Sequence, residues 1–386
     1  MLEFEDSPTW TTLPSALDTS FDDDGMKTLT LSAGIDYIHQ IKPTSDGKYL
    51  AAGAINNHFG VLRFNSDLSL DRTFADQGTL ELDLGDNLHA RTWIEDHNGR
   101  YLIGGDFQMA RLLTDGSLDT TFGDGGIIAS QVVYDIDLQA DGMFVTTGDD
   151  GTYGHVQRYT YDGTLNFEQR FGQIYSSGNG WERYRFQGIT AWDHLTIQVQ
   201  GRIHTYSWAS AEPYRYYLIT NDLFTDHYPG WNQQLSPGFD IHSVLDTPEG
   251  GHLFVGSFGP DVALFKTIAG HGFDETFGEG GIRRFTVGLN SAQGLAATLE
   301  TDGQILISGV VNTGSDQDLF IARMSFDGVM DESFDSDGVL TIPFSNFDDT
   351  GYSVLQLHDK KILIAGRSGD NIALVRLYGD NNIFGD

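Results

Sequence analysis

The sequence predicts an all-β fold, a seven-bladed β-propeller of four-stranded antiparallel blades, on three landmarks that recur in constant order. The first is a turn string, Leu17-Asp18-Thr19-Ser20-Phe21, which returns as Leu70-Asp71-Arg72-Thr73-Phe74 and Leu118-Asp119-Thr120-Thr121-Phe122. Altered copies are Phe273-Asp274-Glu275-Thr276-Phe277 and Met330-Asp331-Glu332-Ser333-Phe334. The second is a turn pair followed by a short apolar run and a glycine. It starts at Asp46, Asn98, Asp141, Asp193 (the weakest copy), Glu249, Asp302 and Asp359. The third is a cation before the next turn: Arg63, Arg111, Arg158, Lys266, Arg323 and Arg376, with Tyr217 in the remaining unit. Self-similarity at such a period marks solenoids, propellers and arrays.

Turn pairs 43 to 57 residues apart leave room for about four short strands per unit, as in a propeller blade. The units run over 26–66, 79–113, 126–160, 172–219, 235–268, 281–325 and 338–378. In the first, strands are expected near 28–32 (inner), Tyr37–Lys42, Tyr49–Ala54 and Phe59–Phe64 (outer). Third strands are expected near Tyr49, Tyr101, Met143, Leu195, His252, Gln304 and Lys361. Runs such as Ile362-Leu363-Ile364-Ala365 are continuously apolar, so these strands should be covered on both faces. Asp-Gly pairs supply the positive φ of tight hairpins. No segment sustains a capped helical period. Residues 15–380 thus read as one ring, with 1–14 an N-terminal extension able to close it and 381–386 a tail. Each blade is complete in itself, or residues before Ser15 add a strand to the last; the sequence leaves both open.

The composite of Asp-Gly, apolar run, Arg and Asp-Gly-x-Leu-Asp-x-Thr-Phe-Gly resembles the delta-60 repeat of large bacterial surface and secreted proteins. The stretch Arg111-Leu112-Leu113-Thr114-Asp115-Gly116-Ser117-Leu118-Asp119-Thr120-Thr121-Phe122-Gly123 matches best, and the fourth unit and start of the fifth match poorly. The resemblance implies a β-propeller in a secreted or cell-surface setting and no particular chemistry.

Composition narrows the partners. A net charge of −33 argues against nucleic acid and anionic membrane surfaces, because both need a basic patch. No apolar run of 18 residues marks a membrane-spanning helix, so no membrane insertion is expected. The absence of cysteine removes disulfides from its stability. The start Met1-Leu2-Glu3-Phe4-Glu5-Asp6 lacks signal-peptide character, so a mature form or a piece of a longer protein, monomeric or within that chain, is expected.

Candidate chemistry is sparse. Asp22-Asp23-Asp24-Gly25 and Asp335-Ser336-Asp337-Gly338 carry oxygen ligands that suit calcium, yet neither continues into a full cation loop, and an aspartate-stabilised turn is the preferred reading. No metal ligand is assigned and no cofactor is expected. The repeated cations read as internal braces to the Leu-Asp carboxylate and turn carbonyls. Nucleophile elbow, zinc and phosphate-loop motifs are missing.

One region departs from the pattern. Residues 151–231 hold 18 of the 47 aromatics, six of the sixteen Arg and no Lys, and carry a net charge of −1 against −32 for the rest. Degenerate blades packing larger residues would account for this. Enrichment of Trp, Tyr and Arg where proteins bind favours a ligand site built from Trp181, Tyr184, Arg185, Trp192, His204, Tyr206, Trp208 and Tyr214. The ligand expected is a glycan or an extracellular protein. A polysaccharide lyase is the alternative, for which His155, His194, Arg202, His204 and Tyr206 are the types that abstract a proton beside a carboxylate. A structural spacer of a large adhesin is the third reading.

Overall fold

The computed structural model describes residues 16–85, 87–150, 153–174, 180–191, 196–207, 214–222, 239–268 and 271–379; of 172–174, 180–187, 190–191, 196–207, 214–222 and 271 the backbone alone is considered. The chain separates into two compact units, Met1–Ile41 with His242–Asp386, and Lys42–Ile241. The described residues form strands and turns and no helix.

Strand β1 (Met26–Leu29) lies in the first unit. The second unit holds three sheets, with the division falling inside the first strand of the first. That sheet runs in the order β2 (Tyr37–Pro43), β3 (Tyr49–Ile55), β4 (His58–Phe64) and β5 (Thr79–Leu82). The next comprises β6 (Ala90–Glu95), β7 (Tyr101–Gly105), β8 (Gln108–Leu112) and β9 (Ile127–Ala129). The last is seven-stranded: β10 (Val132–Leu138), β11 (Phe144–Asp149), β12 (Gly154–Tyr159), β13 (Leu165–Ile174), β14 (Gly180–Ala191), β15 (Thr196–Ser207) and β16 (Tyr214–Asp222).

Three sheets make up most of the first unit. One holds β17 (Phe239–Asp246), β18 (His252–Phe258), β19 (Asp261–Ile268) and β20 (His271–Phe273), with β21 (Ile282–Phe285) also paired to β19. Another runs through β22 (Ala292–Leu299), β23 (Ile305–Asn312), β24 (Gln317–Met324) and β25 (Val339–Ile342). The last is ordered β1, β28 (Asn371–Leu377), β27 (Ile362–Ser368) and β26 (Asp349–Gln356).

The blade count differs from the sequence expectation: among the described residues six sheets form, not seven four-stranded blades. Where other units insert a Leu-Asp-x-Thr-Phe turn after the cation, the chain after Arg158 passes through Tyr161-Asp162-Gly163 directly into β13. Without that turn β13 runs ten residues. Leu165–Phe171 pairs with β12, and Gly172–Ile174 pairs with Trp181–Arg183 of β14. One ladder therefore continues where a blade boundary was expected.

The strand expected near 28–32 is also reassigned. β1 is the outer strand of the last sheet, with Met26 opposite Val375 and Leu29 opposite Ile372. The reason lies in the turn before it: wherever the Leu-Asp turn occurs among the described residues it joins the third strand of a sheet to the fourth, so the first copy delivers a fourth strand whose three partners lie at the other end of the chain. The repeated cations accordingly end the third strand of a sheet, not the outer one.

Packing follows from the apolar runs. All seven positions of β3 are buried. In the second unit Leu50, Ala52, Phe59 and Val61 meet Trp93, Tyr101, Ile103 and Leu112 of the next sheet. In the first unit Leu306, Leu319 and Ile321 meet Ile362, Ile364 and Val375. Each such large side chain contributes about 1.5–3 kcal/mol on burial.

The brace reading of the cations holds. Arg111 Nε donates to Asp119 Oδ2 at 2.9 Å, Arg323 Nε to Asp331 Oδ2 at 2.7 Å, and Arg376 Nε to Asp18 Oδ2 at 2.6 Å. Lys266 Nζ lies 3.0 Å from Asp274 Oδ2. A second arm crosses to the following turn: Arg63 Nη1 reaches the Thr114 carbonyl at 2.8 Å, Arg111 Nη1 that of Tyr161, and Arg323 Nη1 that of Gly379. The same guanidinium covers the turn phenylalanine, 4.6 Å from the Phe122 centroid and 4.8 Å from Phe334. Gly163, at φ +86°, packs under Phe122 so closely that a Cβ would stand 2.8 Å from the ring. Arg158, without the Leu-Asp turn, pairs instead with Gln139 at 2.5 Å and Asp141 at 2.6 Å.

Candidate functional site

The aromatic and arginine-rich sector folds as the three long strands β14, β15 and β16, rich in the β-branched and aromatic residues that favour a pleated surface. Register fixes which positions share a face. Trp181 stands opposite Tyr206, Arg183 opposite His204 and Arg185 opposite Arg202. On the other side of β15, His204 faces Tyr214 and Arg202 faces Tyr216. Successive residues alternate between faces, so Trp181, Arg185, Arg202, His204, Tyr206 and Tyr214 all lie on one face. Arg183 and Tyr216, which sequence reasoning did not single out, lie there too. Tyr184 lies on the opposite face together with Glu182, two residues before it, and opposite Ile203 in register. Trp192, Trp208 and His194 fall outside the described residues. Three strands at the usual spacing and five residues at the usual rise give this face an area of about 10 by 14 Å.

The residues of the lyase alternative are only partly brought together. Arg202, His204 and Tyr206 alternate along β15. His155 sits on β12, with β13 and β14 between it and β15 in the sheet order. It is buried, its Nδ1 3.2 Å from Glu168 Oε1 and its Nε2 3.2 Å from Asp150 Oδ2. Gln157 Nε2 also donates to Glu168 at 3.0 Å. It belongs to an interior polar network of β12 and β13, apart from the β15 residues.

A second polar cluster, absent from the sequence expectation, joins β2, β6, β10 and β14 within the second unit. Lys42 Nζ donates to the Trp93 carbonyl at 3.1 Å and stands 5.9 Å from the Trp93 ring centroid. Burial pushes its ammonium pKa down, against the pull of Asp135 and Asp137. Burial pushes the Asp135 carboxyl up to about 6, although Lys42 and two backbone donors favour its charged form. Those donors are the amide of Ile189 at 3.0 Å and that of Ile136 at 3.0 Å. The available signal was the polar alternation in Tyr134-Asp135-Ile136-Asp137-Leu138. In the first unit, His39 stacks on Tyr352 at 5.9 Å and 8°, with Tyr37 5.7 Å from the same ring.

The acidic turns are self-bonded. Asp24 Oδ1 accepts from the Met26 amide at 2.8 Å, and Asp337 Oδ1 from that of Val339 at 2.9 Å. Asp22, Asp23, Asp335 and Ser336 adopt positive φ. Each is an aspartate-stabilised turn. Among the described residues no group of three or more His, Cys, Asp or Glu is placed to hold a metal ion.

Residues 44–74 and 98–122 match a domain family of unknown function described as a β-propeller (DUF5122). No curated protein matches the chain. Among solved structures the chain is similar to a catalytically inactive virginiamycin B lyase from Staphylococcus aureus with quinupristin, at 12% identity and a TM-score of 0.55, covering 90% of this chain and 98% of that one. It is also similar to the extracellular domain of a putative hybrid two-component system from B. thetaiotaomicron, at 13% identity and a TM-score of 0.50, covering 92% of this chain and 43% of that one. A polysaccharide lyase matches at 10% identity and a TM-score of 0.49, over 91% of this chain and 92% of that one. At these identities the likeness establishes the fold: the protein is an all-β propeller module of four-stranded antiparallel blades, carrying a propeller-type repeat.

Proposed function

We propose that this propeller is an extracellular binding module, secreted or displayed on a bacterial surface within the delta-60 repeat group, which recognises a glycan through the β14–β16 face. The observation that supports the reading is the register that sets Trp181 opposite Tyr206 and His204 opposite Tyr214. Aromatic side chains offer apolar faces to sugar rings, while Arg and His donate hydrogen bonds to hydroxyl and carboxylate groups. The repeated cations do not compete for this role, since they are committed to internal carboxylates. The binding needs no cofactor. A glycan array probed with the purified chain, beside Trp181→Ala and Tyr206→Ala, tests it: binding lost in both variants supports the module, and binding indifferent to both refutes it.

One observation favours a second reading, a polysaccharide lyase. Arg202, His204 and Tyr206 occupy alternate positions of a single strand, so a carboxylate-neutralising cation and two candidate proton acceptors share a face. β-Elimination would take the proton α to a uronate carboxylate and expel the glycosidic oxygen, leaving a carbon–carbon double bond. Its ultraviolet absorbance appears only if the chain turns substrate over.

A further inference from the structure

We infer that Asp318, in the first unit, is the anchor of a second binding site, which takes an arginine side chain of a partner protein and uses no residue of the β14–β16 face. One cross-strand position recurs in several sheets. In the β17–β21 sheet Asp261 opens β19, and Arg284 stands on β21 opposite Ala263, two residues further along. The two side chains meet on that diagonal, Arg284 Nη2 donating to Asp261 Oδ2 at 2.5 Å, and the guanidinium rests 4.2 Å from the Phe258 centroid. In the β2–β5 sheet the same two positions hold His58 and Glu81, with Nδ1 2.6 Å from Oε1. Diagonal neighbours of this kind are within reach of long side chains. Asp318 occupies the Asp261 position on β24, its register partner Val311 corresponding to Phe258. Opposite Phe320, two residues on, β25 presents Thr341 where the other sheet has Arg284. The carboxylate is kept and its guanidinium is missing.

Among the described residues nothing replaces that guanidinium. The Asp318 carboxylate accepts no hydrogen bond and forms no ion pair, although the residue is only 8% exposed. Burial, with the charges of Asp316 and Asp349 adding to it, pushes its carboxyl up to about 6. Those neighbours are themselves held by uncharged donors, Asp316 by the hydroxyls of Thr313 and Ser315 and Asp349 by the amide and hydroxyl of Ser345. A buried carboxylate without a partner is costly, and a cation that reached it would relieve that cost. No three of these carboxylates are placed to hold a metal ion, whereas a planar guanidinium with five donors bridges groups that lie further apart. Asp348 accepts from the Gln317 amide at 3.1 Å, which brings its neighbour Phe347 to the start of β24, and that ring is 67% exposed. It offers an arginine the kind of aromatic face that Phe258 gives Arg284. Arginine is also the cation most often found as a buried anchor between proteins, and the net charge of −33 favours the approach of a basic partner.

The test measures binding to the full chain of three acetylated peptides with uncharged flanks, identical but for a central arginine, lysine or citrulline. The arginine peptide should bind at least tenfold more tightly than the uncharged citrulline peptide and at least fivefold more tightly than the lysine peptide. Asp318→Asn should remove both preferences, while Glu332→Gln, an equal change of charge at an exposed turn residue, should leave them within twofold. Thr341→Arg supplies the missing cation from within, so it should raise the thermal midpoint and weaken binding of the arginine peptide at least tenfold. Equal binding of the arginine and lysine peptides, or equal effects of Asp318→Asn and Glu332→Gln, would reduce the attraction to diffuse charge and overturn the inference. Failure of the unaltered chain to bind the arginine peptide would overturn it as well. Because the peptide comparison uses the unaltered chain, it remains decisive if a variant fails to fold.

Discussion

Arg111 and Asp119, eight residues apart, meet across a Leu-Asp turn with Nε 2.9 Å from Oδ2, both side chains buried. The same guanidinium lies 4.6 Å from the Phe122 ring centroid and donates to the Tyr161 carbonyl of the next hairpin. One side chain thus closes its own turn and ties it to the following one. Burial pushes the Arg111 pKa down from its ordinary value, against the Asp119 charge.

Arg111→Ala should therefore cost about 1.5–3 kcal/mol, the loss of a charged hydrogen bond with its buried partner left uncompensated. Thermal or urea melts should show the loss, while ligand affinity stays within twofold. Unchanged stability with abolished binding would move the repeated cations from architecture to recognition.

Gly163 and Gly142 separate two costs of the same substitution. Both have positive φ, +86° and +82°, but an added Cβ at Gly163 would crowd Phe122, and at Gly142 it meets nothing within 4 Å. Gly142→Ala should cost about 1–2 kcal/mol of backbone strain. Gly163→Ala should cost clearly more, and equal unfolding midpoints for the two would refute the packing role of the turn glycine.

Stability should pass through a maximum as pH falls. Burial pushes Asp135 and Asp318 up to about 6. With unfolded values near 3.8, the folded chain holds extra protons between about pH 4 and 6, so these groups stabilise it increasingly as pH drops through that window. Asp71 is the reverse case: burial raises its pKa, but hydrogen bonds from Lys48 and Thr73 outweigh this and hold it at about 2. Asp18 is likewise held well below the usual range, burial being outweighed by Lys361, Ser20 and Arg376. Their contribution is present above 3.8 and is lost as pH falls further. Urea midpoints should peak between about pH 4 and 5, and Asp135→Asn should flatten the rise from pH 7. An Asp135→Asn profile identical to that of the parent would rule out the Asp135 part.

The two faces of β14 should behave differently on binding. Trp181→Ala and Tyr206→Ala should each weaken glycan affinity by about 2 kcal/mol, roughly thirtyfold, as central aromatic contacts do. Tyr184→Ala, on the opposite face by register, should leave affinity within a few-fold. Titration calorimetry on the three variants decides it, and a Tyr184 effect as large as that of Trp181 would contradict the face assignment.

Removing residues 1–30 should destabilise the last sheet specifically. β28 would lose the partners Met26 to Leu29, and Arg376 and Lys361 would lose Asp18. The exposed strand edge should make the truncated chain associate, which light scattering would detect. A monomeric truncation with an unchanged melt would show that β1 is dispensable.

Local features of the fold are legible in the order of residues. Strand starts at Tyr49, Tyr101 and His252 follow from turn pairs and apolar runs. The Arg–Asp braces follow from an eight-residue spacing, and the shared face of Trp181, Arg183 and Arg185 from simple alternation. Which edge meets which strand emerges only from long-range packing. A strand edge presents the same backbone donors and acceptors whatever its side chains, so periodicity cannot say whether β13 stops at β12 or goes on to β14, and the described residues form six sheets where seven blades were expected. Nor can it show that Met26 pairs with Val375 at the far end of the chain. The approach of Lys42 to Trp93 and its electrostatic coupling to Asp135 belong to the same class. They arise where separate inner strands come together, and no local pattern in any one strand specifies its neighbours.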